Sequence, residues 1–163
     1  MNARIELLQA MPIFGALREE TLDFLLGQSS VAAVPAGQFF FREGDEARSM
    51  FVLEEGKAAV LKAWDGRQYL LAMMAPGECF GEMSLMDMHQ RSASVLAMDP
   101  CRAIELSTSS LFSLYEKDLE QFTLIQMNMG REVSRRLRHA DERLFEAQVT
   151  GGRRMTEFAL PST

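Results

Sequence analysis

Cysteine and histidine are nearly absent from this chain, with two of each in 163 residues. Cys79 and Cys101 are too few for a disulfide framework and fit a reducing compartment, where they are expected as small buried hydrophobes. His89 and His139 stand far apart, with no ligand spacing around either, which argues against a metal site. Long apolar runs are missing as well: no stretch approaches the ~18 residues of a membrane span. The first residues, Met1 to Gly15, carry Glu6 and Pro12 instead of the continuous apolar core of a signal peptide. Positive charge is also in deficit, 17 Lys and Arg against 23 Asp and Glu, a net charge of −6. Such a chain lacks the basic face that general nucleic-acid or anionic-membrane binding requires. The expectation is a soluble, cytoplasmic protein with no membrane contact and no direct DNA binding.

What is present is the balance of a globular domain, 47% hydrophobic and 25% charged, long enough for one well-buried core plus an appendage. Residues 2–28 read as helical, since Ile5, Leu8, Leu22, Leu25 and Leu26 recur at helix spacing, with a break at Pro12 and Gly15. From Val31 to Ser107 the texture is β. Short β-favourable runs, Gln38–Arg42, Met50–Glu54, Ala58–Ala63, Tyr69–Met73, Ser94–Ala97 and Arg102–Leu106, alternate with turn signals such as Pro35-Ala36-Gly37, Glu55-Gly56 and Pro76-Gly77. Asp65-Gly66 between apolar runs predicts a two-residue hairpin. After Ser107–Ser109, a helix-capping cluster, residues 108–149 turn helical again: a short piece at Leu111–Glu116, then a long helix at 118–148. Leu137, Ala140, Leu144 and Ala147 form an apolar stripe on that helix, extended by Met129 and Val133. The stripe suits self-association into a homodimer, since a helix projecting past a small roll has little of its own domain to pack on. The domain is expected to span 1–149, with 150–163 as a flexible tail.

The richest chemistry lies in Gly81-Glu82-Met83-Ser84-Leu85, followed by Arg91-Ser92-Ala93 ten residues after the glycine. Glu82 is an acceptor-only group when ionised and suits a hydroxyl donor. Arg91 is a permanent cation whose planar fork matches phosphate oxygens. Met83, Ser84 and Leu85 would begin a short helix whose free N–H groups favour an anion. Gly81 has no Cβ to block a close approach, and the Ser92 hydroxyl adds a donor. An ordinary surface turn would instead leave Glu82 and Arg91 solvated, or paired with each other.

This constellation resembles the phosphate-binding cassette of the cyclic-nucleotide-binding domain family, which includes the catabolite-activator regulators, the regulatory subunits of cyclic-AMP-dependent kinase and cyclic-nucleotide-gated channels. The order of turns and strands from about residue 10 to 146 is similar as well. The resemblance implies a mainly β fold with flanking helices: a double-stranded β-helix, or jelly roll, with an N-terminal helical motif and a long C-terminal capping helix. It implies that Arg91 holds the phosphate, Glu82 the ribose hydroxyl, and that Val60 and Leu71 pack against the base. The run Val133-Ser134-Arg135-Arg136-Leu137 resembles the capping helix, which would turn Arg136, Ala140 and Asp141 towards the ligand, Arg136 stacking on the base. The catabolite-activator branch carries hydroxyl residues where this chain has Ala140 and Asp141, and many relatives carry glycine where Met86 and Met88 stand in the cassette loop. An Asp141 carboxylate would accept from guanine. Cyclic AMP is thus the first expectation and cyclic GMP the alternative.

No cofactor or metal is expected. Fourteen residues follow Val149, too few for a two-helix DNA reader. The expectation is a stand-alone, non-enzymatic sensor that acts through its own dimer or an unknown downstream protein. Two other readings compete: a β-roll without ligand that serves as a dimeric interaction protein, and a cupin-like metal enzyme. The second would need clustered histidines on adjacent strands, and neither His89 nor His139 falls on a predicted strand.

Overall fold

Among the described residues, eight strands form two four-stranded antiparallel sheets, with helices before, within and after them. The computed structural model describes residues 2–151 and 157–161. Helix α1 (Ala3–Gln9), a 3-10 turn (Pro12–Phe14) and α2 (Glu19–Gly27) lead into β1 (Ser30–Val34) and β2 (Phe39–Phe41). There follow β3 (Ser49–Glu55), β4 (Ala58–Trp64), β5 (Arg67–Met74), β6 (Cys79–Phe80), α3 (Met83–Asp87), β7 (Ser94–Ala97) and β8 (Cys101–Ser107). Helices α4 (Thr108–Lys117) and α5 (Leu119–Thr150) complete the order. The sheets run β1-β8-β3-β6 and β2-β7-β4-β5, so sequence neighbours β1 and β2 sit in opposite sheets, as do β7 and β8. This is the expected jelly roll with its helical lead-in and long C-terminal helix. The six expected strands appear with their ends moved by a residue or two; β1 and β6 are additional.

Turn chemistry accounts for the register. Asp65 and Gly66 both have positive φ, 50° and 73°, the two-residue turn whose twist matches its flanking strands. Gly56, at φ +84°, has a second reason to be glycine: a Cβ there would lie 2.6 Å from the Pro100 carbonyl oxygen. Between β4 and β5 the pairing steps from Val60↔Ala72 to Leu61↔Leu70, leaving Leu71 as the extra residue of a β-bulge.

Alternation along the strands divides the core into three layers. Phe51, Leu53, Ala58, Phe80, Val95, Ala97 and Ala103 fill the space between the sheets, with Val60 and Phe41 packed against them. The alternate residues of the first sheet, Met50, Val52, Ile104 and Leu106, face the helices and meet Leu8, Phe14, Leu22, Leu25, Leu114, Ile125 and Met129. Each such fully buried aliphatic side chain contributes about 1.5–3 kcal/mol. Ala59, Leu61 and Leu96 look out from the other side of the second sheet and are covered by Phe39, Leu70 and Phe158.

Two helix caps fix the C-terminal half. Ser107 Oγ accepts from the Ser110 N–H at 3.1 Å, and an Asp118 oxygen accepts from the Gln121 N–H at 3.1 Å. The first half of α5 belongs to the domain's own core. Asn128 Nδ2 donates to the Gly15 carbonyl at 2.9 Å, and Met129 is buried, which corrects the assignment of Met129 to a self-association stripe. Beyond it Leu137, Leu144, Phe145 and Val149 are exposed. Within 150–163, expected as a flexible tail, the described residues Glu157 and Phe158 make contacts with β5. Glu157 bridges to Tyr69 and the Phe158 N–H donates to the Gln68 carbonyl at 2.7 Å; residues 152–156 and 162–163 lie outside the described residues. Among the described residues no helix is long and apolar enough to cross a membrane.

Candidate functional site

Strand β6 ends at Phe80, and Gly81 turns the chain with φ +81° so that Glu82 points inward at the start of α3. Glu82 is 1% exposed. Burial pushes its pKa above the ordinary carboxylate range, and the nearby Arg136 charge pulls the other way. Arg136 Nη1, on α5, donates to Glu82 Oε1. Its Nε also lies 3.5 Å from Glu132 Oε1, and Glu132 in turn accepts from Arg135 Nε at 3.1 Å. The capping helix therefore meets the cassette through an ion pair. Arg136, expected to stack on a base, is instead engaged with the carboxylate expected to hold the ribose.

Arg91 lies on the other side of Gly81. Its backbone is tied to the β2–β3 loop: the Arg91 N–H donates to the Asp45 carbonyl and its own carbonyl accepts from the Gly44 N–H, both at 2.9 Å. The side chain is 5% exposed. Nη2 donates to the Ser49 carbonyl at 2.7 Å and Nη1 to the Gly81 carbonyl at 3.3 Å, while Nε is buried without a partner. The guanidinium lies 3.9 Å from the centroid of the Phe41 ring. Burial lowers its pKa, with the Glu105 and Asp45 charges opposing. Glu105 nonetheless spends one oxygen on the Ser49 hydroxyl, 2.7 Å away, and Arg91 forms no salt bridge among the described residues. A buried cation with no carboxylate at salt-bridge distance among the described residues is unusual, with only the more distant Glu105 and Asp45 charges to balance it. Gly81 is what lets it sit there, since a Cβ at that position would lie 2.6 Å from Arg91 Nη1 and 3.3 Å from the Ser49 carbonyl.

The remaining expected residues fall at different distances from this centre. Ser84 is buried within α3, and Met83 is exposed. Ser92 is exposed, its carbonyl accepting from Lys62 Nζ at 2.6 Å, and Ala93 is half-buried. Val60 faces the roll interior; Leu71, at the bulge, is 44% exposed, an apolar side chain left uncovered on the strand that pairs with Val60's. Ala140 and Asp141 are exposed on α5, one turn past Arg136. Met88 closes α3 with φ 55°, a left-handed conformation that suits glycine and costs a residue with a Cβ about 1–2 kcal/mol. Sequence reasoning missed Phe41 and Ser49, which hold the guanidinium. The run Phe39-Phe40-Phe41 was legible only as a strand, and a backbone carbonyl leaves no mark in sequence. Among the described residues no group of His, Cys, Asp and Glu gathers as metal ligands would.

Comparison with known proteins identifies the family. Residues 31–118, more than half the chain, match the family model for the cyclic nucleotide-binding domain. Among relatives, the cyclic AMP receptor protein of Thermus thermophilus is 29% identical over 154 residues, 94% of this chain and 69% of that protein. A CRP-like cAMP-activated global transcriptional regulator of Mycobacterium tuberculosis is 29% identical over 146 residues, 89% of this chain and 63% of the relative. Among solved structures, the Thermus thermophilus catabolite activator protein superposes with a TM-score of 0.75 at 30% identity, covering 84% of this chain and 63% of that one. A cyclic nucleotide-binding domain from Methylobacillus flagellatus, 23% identical, shares the fold with a TM-score of 0.77 over 88% of this chain and 81% of its own. With the jelly roll, the Gly81–Arg91 cassette and the match over 31–118 together, the chain belongs to the cyclic nucleotide-binding domain family.

Proposed function

We propose that this chain is a non-enzymatic cytoplasmic sensor of a cyclic nucleotide, with cyclic AMP as its first ligand and cyclic GMP as the alternative. The observation that carries the reading is Arg91, a buried guanidinium that, among the described residues, has no carboxylate at salt-bridge distance and an unspent Nε–H. Holding a cation out of water with no directly paired carboxylate carries a desolvation cost that the more distant Glu105 and Asp45 charges only partly offset, and a phosphate at that point offsets more of it. Glu82, across Gly81, supplies the acceptor for a ribose hydroxyl. Because Glu82 is 1% exposed beneath Arg136, a hydroxyl reaches it only when Arg136 swings out or α5 shifts, so ligand binding and the position of α5 are linked. Leu71 and Val60 give the base an apolar wall, with Ala140 and Asp141 on the approach along α5. The names of the Thermus and Mycobacterium relatives, a cyclic AMP receptor and a cAMP-activated regulator, support cyclic AMP; Asp141 keeps cyclic GMP in view. The exposed Leu137, Leu144, Phe145 and Val149 support a homodimer along α5, which passes the signal to a further protein.

Calorimetric titration of the wild type and Arg91→Ala with cyclic AMP, cyclic GMP and linear 5′-AMP tests the reading. A charge-assisted hydrogen bond contributes about 1.5–3 kcal/mol, so the substitution weakens cyclic nucleotide binding by about 10–100-fold. Equal affinities for the two proteins, or preference for the linear nucleotide, contradict it.

A further inference from the structure

The chain's last described segment does something that none of the site residues requires. Glu157 pairs with Tyr69 of β5 in an antiparallel bridge, flanked by the Phe158 N–H to Gln68 carbonyl bond at 2.7 Å. Arg67 Nη1 stands 3.7 Å from Glu157 Oε2. The Phe158 ring is half-buried against Ala59, Leu61 and Leu96, each 0% exposed, and against Phe39 and Leu70. Strand β5 is an edge of its sheet, so the segment caps an edge and covers an apolar face together. Position in the sequence makes this more than a cover. Residues 157–161 follow α5, and only five residues, 152–156, separate Gly151 from Glu157. While Glu157 is docked, the end of α5 is held within about 20 Å of β5. With the segment docked, Arg136 sits on Glu82 and Glu82 is closed to solvent. The strands that take the segment on their outer face, β4 and β5, carry Val60 and Leu71, the proposed base wall.

We infer that residues 157–161 are an autoinhibitory strap: docked on β5, they hold α5 where Arg136 covers Glu82, and so oppose nucleotide binding. The inference rests on the nucleotide reading above. Linkage makes it reciprocal, so nucleotide must loosen the strap to the extent that the strap weakens nucleotide.

The test uses two variants of the full chain. Phe158→Ala removes the anchor. Tyr69→Cys with Glu157→Cys locks it, because this non-hydrogen-bonded pair brings side chains close enough for a disulfide. Hydrogen exchange across 67–74 is followed without nucleotide, and cyclic AMP affinity is measured by calorimetry, the locked protein both oxidised and reduced. Expected are faster exchange in β5 and cyclic AMP binding about 5-fold or more tighter in Phe158→Ala, weaker binding in the oxidised lock, and its recovery on reduction. Unchanged exchange in Phe158→Ala overturns the strap. Altered exchange with unchanged or weaker affinity, or an oxidised lock that binds as well as its reduced form, overturns the coupling. Absence of nucleotide binding in wild type and variants alike overturns the nucleotide reading and the coupling with it, while the exchange data still report whether the segment is docked.

Discussion

Replacing Gly81 by alanine asks whether the close approach between the cassette turn and Arg91 is needed. The new Cβ would lie 2.6 Å from Arg91 Nη1 and 3.3 Å from the Ser49 carbonyl, so the guanidinium must leave its bonds to the Gly81 and Ser49 carbonyls. Backbone strain at φ +81° costs about 1–2 kcal/mol. Losing hydrogen bonds from a charged donor adds about 1.5–3 kcal/mol. The sum, about 2.5–5 kcal/mol, lowers the melting temperature of a chain this size by about 5–20 °C. Gly37→Ala supplies the control: its φ is +83°, and a Cβ there meets nothing within 4 Å. It carries the strain alone and should cost about 1–2 kcal/mol. Thermal denaturation followed by circular dichroism, with cyclic AMP titration of each variant, reads both effects. Gly81→Ala should be clearly the less stable of the two and the only one to lose nucleotide affinity. Equal melting temperatures with both affinities intact would refute the claim that Gly81 exists to seat Arg91.

Three other outcomes follow from the structure. Both thiols are buried, and burial pushes that of Cys79 up to about 12, so an aromatic disulfide reagent at neutral pH should titrate neither cysteine until denaturant is added; rapid reaction of the native protein would count against the core described. Glu82's pKa is raised on folding, chiefly by burial. The folded state therefore holds its proton more tightly than the unfolded chain, and its contribution to stability is full below the ordinary carboxylate pKa and lost as pH rises through the raised value. Wild type minus Glu82→Gln stability, measured by urea unfolding, should thus fall with rising pH across that window, and a difference that grows with pH refutes the assignment. Leu137→Glu with Leu144→Glu should convert a dimer to a monomer in sedimentation velocity with little change in melting temperature, both side chains being exposed; an unchanged sedimentation coefficient removes α5 as the dimer surface.

The parts legible in the sequence were those written in local signals. The Asp65-Gly66 hairpin, the Ser107 cap and the strand Ser94–Ala97 depend on neighbours in the chain and appear as expected. Strand β1 escaped notice because Ser30-Val31-Ala32-Ala33-Val34 has weak β character and is held by pairing with β8. The two residues of β6 form a strand only through β3. Within the site, Glu82 and Arg91 were readable as charges of the right kind at the right spacing. That Arg91 is held by two carbonyls and the Phe41 ring, and that Arg136 meets Glu82, are facts of tertiary packing. The strap left one faint trace, the apolar Phe158-Ala159-Leu160 in a segment that composition had assigned to a tail.

The claim on which the account turns is that Glu82 reads a ribose hydroxyl beside the phosphate held by Arg91. A cycle of cyclic AMP and 2′-deoxy cyclic AMP against wild type and Glu82→Ala measures it directly. Wild type should prefer the ribonucleotide by about 10-fold or more, the size of a hydrogen bond to a charged group, and Glu82→Ala should bind both nucleotides alike. A preference that survives the loss of Glu82 would place the sugar elsewhere and contradict the account.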